Sequence, residues 1–414
     1  MLYVRRRLHA AEGGIHLERK EVLDRGMRNV IILGLISCFA DISSEMVYPL
    51  IPLYLTAVFG ATPVLVGIIE GIAESVASLL KVFSGYISDR FAHKKAIAFS
   101  GYATGLLYKV ALLFAGSWGG ILAARVIDRF GKGIRTAPRD VMVSESAKKD
   151  GMGRAFGVHK MLDMAGSAIG ILLAYILMRC VGENGYRTVF AVSVIPILIA
   201  LALFLLVHEP QCSGTAARRE RFWHGLSSLD GRLKLYLAVA FLFTLGNSSN
   251  SFLLLRAADI GFDSTSAILL YFVYNVTASL LAIPFGKASD RIGRKRLLVG
   301  GYLVFSLVYF GFAVCTSKPM MVIIFVVYGL YTAMTAGVER AFIAEIAPAQ
   351  LKGTMLGLHS TIVGIALLPA SVIAGFLWNA AGAAAPFFFG GSLALLSALI
   401  LGFGMKTGAI HAAS

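Results

Sequence analysis

The stretch GYISDRFAHKK, from Gly85 to Lys95, recurs in the second half of the chain as GKASDRIGRKR, from Gly286 to Arg296. The match extends in both directions along the chain. Upstream, the sequence ASLL occurs in both halves, and downstream acids, glycines and histidines align: Glu145 with Glu345, Gly153 with Gly353, Gly157 with Gly357, and His159 with His359. A repeat of this length is far longer than a solenoid unit. The chain is therefore predicted to consist of two related halves.

The composition indicates a membrane protein. Of the 414 residues, 57% are hydrophobic and only 15% are charged, and the mean hydropathy is +0.76. Soluble proteins need more charge than this to cover their surface. The apolar runs are long enough to cross a hydrocarbon core as helices, and too long and too uniformly apolar for barrel strands. Twelve transmembrane helices are predicted, near residues 29–58, 63–87, 94–115, 118–145, 153–179, 187–207, 233–257, 264–288, 296–316, 319–346, 353–379 and 384–405.

The duplication and the helix count together predict the architecture. An even number of helices in each half gives both halves the same orientation, as in transporters built from parallel repeats. The predicted fold class is an all-α integral membrane protein with twelve transmembrane helices in two parallel six-helix repeats. Its predicted parts are a basic cytoplasmic N-terminal segment (1–28), an N-terminal six-helix bundle (29–207), a cytoplasmic linker (208–232), a C-terminal six-helix bundle (233–405) and a cytoplasmic tail (406–414).

The formal net charge of +15 is distributed unevenly along the chain. Basic residues cluster before the first helix and after the second, fourth, sixth and eighth helices, whereas the opposite loops carry little beyond Arg187 and Lys318. This positive-inside pattern predicts a multi-pass membrane protein with both termini in the cytoplasm. Because the charge follows the loops, it argues against nucleic acid as a partner.

The duplicated stretch resembles the motif G-x-x-x-D-R-x-G-R-[KR]-[KR] of the major facilitator superfamily. The second copy fits at every position, while Ala92 and His93 depart from the motif in the first copy. The stretches ISSEMVYPLIPLYL (Ile42–Leu55) and FGKGIRTAPRD (Phe130–Asp140) are similar to a bacterial branch often grouped with drug-resistance and efflux carriers. The resemblance implies a secondary transporter whose halves alternately open a central cavity to the two sides of the membrane.

Two equivalent charge clusters are predicted to form a gate at the cytoplasmic ends of the helices. An acid and an arginine of the motif face an acid that ends the fourth or the tenth helix. Recurrence of the same triplet in both halves favours a gate over solvated loop charges. The clusters are Asp89–Arg90–Glu145 and Asp290–Arg291–Glu345, and four further charges are assigned to the same gate: Arg139, Asp140, Glu339 and Arg340.

Ionisable residues at membrane depth are costly and usually face a cavity or each other. Here the N-terminal half has charges at positions where the C-terminal half has neutral residues. We therefore expect the N-terminal half to contain the groups that bind the substrate and the coupled proton. Burial favours the protonated form of a carboxyl group, which suits a proton carrier. The alternative is internal neutralisation, in which the acids pair with Lys81, Lys109, Arg125 or Arg129. The candidate substrate and coupling residues are Asp41, Glu45, Glu70, Glu74, His159, Asp163, Arg125, Arg129, Asn250 and Asn275.

Two weaker patterns concern the fifth helix. Its glycines Gly157, Gly166 and Gly170 resemble an antiporter motif, although Ile171 stands where the motif has proline, and helix packing explains small residues equally well. A cluster of Asp41, Glu45 and His159 would suit a divalent cation, but no metal-ligand spacing demands one.

The sequence thus predicts a secondary transporter, coupled to protons, that moves a small solute. The alternatives are a metal-ion or siderophore transporter and a non-transporting receptor or scaffold. An enzyme is excluded by the lack of a Walker loop, a GxSxG elbow or an HExxH metal motif. We expect the partners to be a small molecule or ion, protons and membrane lipids, with no cofactor and a monomeric state.

Overall fold

The computed structural model describes residues 26–90, 94–146, 152–182, 185–209, 230–347 and 352–405. Most of the predicted N-terminal segment and linker, and the whole predicted tail, lie outside these residues. Within the described ranges the ordered structure is helical and contains no strand. The predicted all-α membrane fold is confirmed.

Twelve helices follow one another in the described part of the chain. Eleven are long and apolar enough to cross a membrane. The remaining one, the fourth, has the required length, but its many charged residues lower its hydropathy. The helices are α1 (Gly26–Phe59), α2 (Pro63–Arg90), α3 (Lys94–Phe114), α4 (Trp118–Ser146), α5 (Met152–Val181), α6 (Tyr186–Leu206), α7 (Gly231–Asp259), α8 (Ser264–Ile292), α9 (Arg294–Val314), α10 (Lys318–Thr335, continued by Val338–Ile346), α11 (Lys352–Ala381) and α12 (Ala385–Gly404).

The repeat extends to the way in which helices end. Gly60 and Gly261 follow α1 and α7 with φ of 60° and 93°, and Gly182 and Gly382 follow α5 and α11 with φ of 84° and 89°. Glycine adopts this left-handed conformation without the steric cost that a Cβ would bring, so it terminates helices efficiently. Both halves therefore turn at the same end of the bundle with the same local chemistry.

Four helices are interrupted within the bundle: α1, α6 (at Ser193), α7 and α10. In α1 the hydrogen-bond ladder is interrupted at Tyr48 and Pro49, because proline has no backbone N–H, although Pro49 keeps helical dihedral angles (φ −68°, ψ −18°). α7 is interrupted at 247–250, where serine and asparagine side chains offer the backbone alternative hydrogen bonds. α10 is interrupted between Thr335 and Val338. Irregular backbone at membrane depth is tolerated where it faces protein or a water-filled cavity.

The two halves meet through α2 with α11 and through α5 with α8. We call the end with the loops after α2, α4, α6, α8 and α10 the basic end, and the other end the opposite end. At the opposite end, the hydroxyls of Tyr186 and Ser264 lie 2.7 Å apart, one from each half. Deeper in the bundle, the Ser75 hydroxyl donates to the Gly364 carbonyl at 2.6 Å. The halves are therefore closed against each other at the opposite end.

Candidate substrate cavity and charged network

A cavity of about 460 Å³ lies between the two halves. The α2–α11 contact extends from Pro63 and Gly375 at the opposite end to Ser78 and Gly364 near mid-helix. The cavity begins where this contact ends and continues toward the basic end. Its lining residues include Tyr48, Glu74 and Ser78 of the N-terminal half, and Phe243, Asn247, Asn250, Tyr274, Tyr302, Tyr328, Tyr331, Glu339, Arg340, His359 and Ser360 of the C-terminal half.

Aromatic rings form one continuous side of the cavity. We call this side the aromatic wall, and it consists of Phe243, Tyr274, Tyr302, Tyr328 and Tyr331. The ring centroids of Tyr274 and Tyr328 are 5.0 Å apart, and those of Tyr328 and Tyr331 are 5.4 Å apart. Phe243 lies 6.1 Å from Tyr331 and stacks on Tyr302 at 4.0 Å. Such rings present apolar surface with electron-rich faces, and the tyrosines add hydroxyl groups.

The unwound part of α7 lies beside this aromatic wall. The Tyr328 hydroxyl donates to Oδ1 of Asn250 at 2.8 Å, and the Asn247 amide donates to the Tyr331 hydroxyl at 3.3 Å. Both asparagines line the cavity. Discontinuous helices with exposed polar groups near the bilayer midplane are a common construction of substrate sites in transporters.

Glu339 brings a carboxylate into the cavity. It lies in the first turn of the second part of α10, where the positive end of the helix dipole favours a negative charge. The Tyr302 hydroxyl donates to its Oε1 at 3.2 Å. Arg340, the next residue, has an exposed side chain, and His359 on α11 stacks against Tyr236 with ring centroids 6.0 Å apart.

On the other side of the cavity, a buried network of ion pairs joins α2 to α4. Arg125 binds Glu70 through two hydrogen bonds, Nε to Oε1 at 3.0 Å and Nη2 to Oε2 at 2.7 Å. Arg129 lies 2.7 Å from Glu74, and Asp128 lies 3.7 Å from Arg125 and 3.9 Å from Arg129. Arg125 and Glu70 are 1% and 0% exposed. For Glu70 and Glu74, the structure therefore has the internal pairing that the sequence left open as the alternative.

Tyr48 connects this network to the C-terminal half. Its ring centroid lies 5.2 Å from the guanidinium carbon of Arg125 and 5.6 Å from that of Arg129, which is the range of cation–π contacts. The same ring lies 5.8 Å from the ring of Tyr271 on α8. Tyr48 also lines the cavity and lies at the interruption of α1. It therefore contacts the buried arginines, the cavity and the C-terminal half.

A second buried cluster joins α1, α4 and α5. The Ser37 hydroxyl donates to Oδ1 of Asp163 at 2.8 Å, and Nη1 of Arg139 donates to that hydroxyl at 3.0 Å. Arg139 and Lys160 lie 4.0 Å and 3.0 Å from the Asp163 carboxylate. The carboxyl group of Asp41 shares a hydrogen bond with Asp163. Asp41 and Asp163 thus lie together in the structure, away from the cavity lining.

The other candidate residues are scattered. Within the described residues, Oε2 of Glu45 and Nε2 of His159 are buried without a hydrogen-bond partner. The charges that influence Glu45 most are Lys132 and arginines of α4. Asn275 donates to the Tyr271 carbonyl of its own helix at 2.8 Å and does not line the cavity. Among the described residues, no three histidine, cysteine, aspartate or glutamate side chains gather closely enough to hold a metal ion.

The predicted gate acids form contacts within their own halves. Glu145 forms an ion pair with Lys94, and Glu345 lies 3.2 Å from Arg294. Arg291, the predicted partner of Glu345, is exposed. The side chains of the other three residues of these clusters lie outside the described part of the structure: Asp89, Arg90 and Asp290.

The four further gate candidates lie in two places, and their role in a gate stays a prediction. Arg139 pairs with Asp140 at 2.9 Å and belongs to the cluster around Asp163. Glu339 and Arg340 line the cavity. Both pairs occupy matching positions of the repeat, but the order of acid and base is reversed between the halves.

Sequence reasoning did not single out the aromatic wall. A tyrosine in an apolar run reads as an ordinary core residue, and five aromatic residues from four helices have no common spacing. The interruptions of α7 and α10 were also missed. The asparagines and serines at 247–250 and the glycine at 337 were the available signals.

Comparison with known proteins identifies the family. The family model described as Major Facilitator Superfamily matches residues 33–255 and, in a second match, 235–408. The chain belongs to the Major Facilitator Superfamily. The two overlapping matches cover the N-terminal and C-terminal halves, in agreement with the duplicated sequence. This family is one of membrane transporters, so the chain is a multi-pass membrane protein of the transporter type.

Relatives within the superfamily extend over most of the chain. An uncharacterised MFS-type transporter of Methanocaldococcus jannaschii is 35% identical over 395 residues, which is 94% of this chain and 98% of the relative. The multidrug resistance protein MdtH of Salmonella paratyphi B is 25% identical over 324 residues, or 75% and 77% of the two chains. Among solved structures, a mutant of the nucleoside transporter NupG is similar with a TM-score of 0.78 at 11% identity, covering 91% of this chain and all of that one. The structural likeness supports the fold.

Proposed function

We propose that this protein is a proton-coupled secondary active transporter that moves a small solute by alternating access. The observation that supports this proposal is the cavity of about 460 Å³ between two repeated halves that contact each other at the opposite end. Its volume falls in the range of roughly 300–1,000 Å³ that is usual for small-molecule sites. A scaffold or receptor gains nothing from interrupted helices and buried charges around such a cavity.

The orientation is part of the proposal. The basic loops favour a cytoplasmic location for the basic end, with both termini in the cytoplasm and the protein in the bacterial inner membrane. In that orientation the closed opposite end faces outward and the conformation is inward-facing. The 25% identity to a multidrug resistance protein supports export as the direction of transport.

Asp41 and Asp163 are the groups that we propose to carry the coupled proton. Two carboxyl groups that share a hydrogen bond cannot both be ionised without strong repulsion, so the pair holds one proton. Ser37 and Arg139 contact the same pair from α1 and α4. Gain or loss of the proton therefore changes the contacts between three helices of the N-terminal half.

The metal-ion or siderophore alternative receives less support. A metal site requires several oxygen, nitrogen or sulfur ligands close together, and the described residues contain no such group. Asp41 is hydrogen-bonded to a second carboxyl group rather than to a histidine. An ion that entered this cavity would find one carboxylate, Glu339, that is not paired with an arginine in the part of the chain described.

Alternating access can be tested without a known solute. We expect a cysteine introduced by Ser360→Cys, on the cavity surface, to react with a membrane-impermeant maleimide from the basic side in one condition and from the opposite side in another. A pH gradient should shift this balance. Asp163→Asn should abolish the pH-driven shift, while Asp263→Asn, an acid-to-amide change in an opposite-end loop, should keep it. Reaction from one side only under every gradient would contradict the proposed function.

A further inference from the structure

The charges around the cavity are compensated unequally. Glu74, which lines the N-terminal side, lies 2.7 Å from Arg129. Glu339 lines the C-terminal side of the cavity. The other acidic residues of the C-terminal half lie near the ends of the membrane-spanning helices. The partner of Glu339 among the described residues is a tyrosine hydroxyl, and no ion pair within 4.0 Å is formed there. Of the two carboxylates that line the cavity in the described residues, Glu74 is in an ion pair and Glu339 is not.

The backbone at Glu339 favours a negative charge. The carboxylate of this residue lies at the N-terminus of a helical segment, where the backbone dipole favours an anion. Arg340, the neighbouring base, lines the cavity with an exposed side chain and forms no ion pair with Glu339 among the described contacts. A cationic ligand that pairs with Glu339 would offset the cost of burying its charge.

The aromatic wall complements such a ligand. Phe243 and Tyr302 stack at 4.0 Å, and Tyr302 also donates to Glu339, so the carboxylate lies at the edge of the ring array. Tyr331 and Tyr328 continue the array toward Asn250. The faces of tyrosine rings attract cations, and most strongly where water is excluded. Flat apolar groups also stack favourably on such rings.

We infer that the cavity binds a small organic cation with a flat, apolar body, whose charge pairs with Glu339 and whose body lies on the aromatic wall. This inference rests on the proposed function and names its substrate class. An organic anion would meet the Glu339 carboxylate and the electron-rich ring faces, both of which repel it. A bare metal ion would not find three histidine, cysteine, aspartate or glutamate ligands close together among the described residues.

The test uses two probes that share a ring system and differ in charge. We expect calorimetry on the purified full-length protein in detergent to detect binding of N-methyl-4-phenylpyridinium, a flat cation. Biphenyl-4-carboxylate, the anion of similar shape, should not bind. Glu339→Gln should weaken cation binding about 30-fold or more, because it removes one partner of a desolvated charge pair. Asp263→Asn is the matched control and should bind like the wild-type protein.

Three results would overturn the inference: no cation binding by the wild-type protein, equal binding of the anion, or equal cation affinity of Glu339→Gln and Asp263→Asn. The comparison of the two probes needs no variant, so it remains decisive if Glu339→Gln folds poorly. The accessibility of Ser360→Cys in the same preparation separates the two proposals. If the accessible side alternates but the cation does not bind, the substrate class is wrong and the transport function stands. If the cation binds without alternation, the transport function fails instead.

Discussion

Arg125 and Glu70 are among the most deeply buried side chains of the bundle, and each depends on the other. Removing one partner of a buried ion pair leaves an uncompensated charge and typically costs about 3–5 kcal/mol, whereas replacing both with apolar residues is often neutral. We therefore expect Glu70→Leu and Arg125→Leu each to lower the free energy of unfolding strongly. Denaturation of the purified protein in detergent would measure the loss.

The double variant Glu70→Leu/Arg125→Leu provides the control for this pair. Asp128 retains Arg129 as a neighbour in that variant, so no buried charge in the network is left alone. We expect the double variant to recover most of the stability that either single variant loses. A double variant as unstable as the worse single variant would show that the pair does not act as a unit.

At the residue scale, sequence reasoning located charges better than it located their roles. Spacing of four placed Glu70 and Glu74 on one face, and both do face α4. Which acids are neutralised depends on which arginines of α4 point toward α2, and that is a matter of helix rotation. Glu339 was assigned to the gate, and in the structure it lines a cavity that is formed by residues far apart in sequence.

At the element scale, Asp263 determines how α8 begins. Its carboxylate accepts hydrogen bonds from the backbone N–H groups of Thr265 and Ser266 at 3.1 and 3.3 Å, which is an N-cap. We expect Asp263→Ala to lower stability by about 1 kcal/mol and Asp263→Asn to be nearly neutral. Thermal unfolding of the three proteins at neutral pH would measure the difference.

The same residue gives a pH dependence with a defined sign. Hydrogen bonding to Ser266 holds the pKa of the Asp263 carboxyl below its usual range. The folded protein therefore binds the proton less readily than the unfolded chain, and the stabilisation is present above the ordinary aspartate pKa. It is lost as the pH falls through the lowered value. The advantage of wild type over Asp263→Ala should shrink on acidification, and an advantage that grows would contradict this account.

Helix positions follow from hydropathy, but the interruptions do not. The bounds predicted for α2, α3 and α9 differ from the structure by at most a few residues, because an apolar run in lipid has no alternative to the helix. The break at 247–250 depends on whether the freed backbone groups find tertiary partners. Ser371, on α11, supplies one such partner by accepting a hydrogen bond from the Ser249 N–H at 3.3 Å. Nothing in the local sequence predicts that contact.

At the scale of the whole molecule, two glycines distinguish the closed end from the open end. A Cβ on Gly67 would collide with the Ser371 carbonyl across the contact between the halves. A Cβ on Gly286, at the basic end of α8, would meet open space in this conformation. The first glycine is therefore required for closure of the opposite end. The motif glycine Gly286 has room for a side chain in this conformation.

Substitutions at these two positions should shift the conformation in opposite directions. Gly67→Val should prevent closure of the opposite end, so that a cysteine from Ser264→Cys reacts faster with an impermeant maleimide. Gly286→Val should leave this conformation intact and hinder closure of the basic end, so that the same cysteine reacts more slowly. Equal reaction rates in the two variants would contradict a rocking motion of the two halves.

The charges of α4 have a consequence for biogenesis. An arginine, lysine or aspartate at the centre of a nascent helix costs about 2.5–3.5 kcal/mol when the translocon releases it into lipid. Arg125, Asp128, Arg129 and Lys132 lie within two turns of α4, so this segment cannot partition into the bilayer by its own hydropathy. Glu70 and Glu74 of α2 supply the counter-charges, and α2 is synthesised first. The chain must therefore hold α2 beside the translocon until α4 emerges, which makes insertion of the N-terminal half a cooperative step.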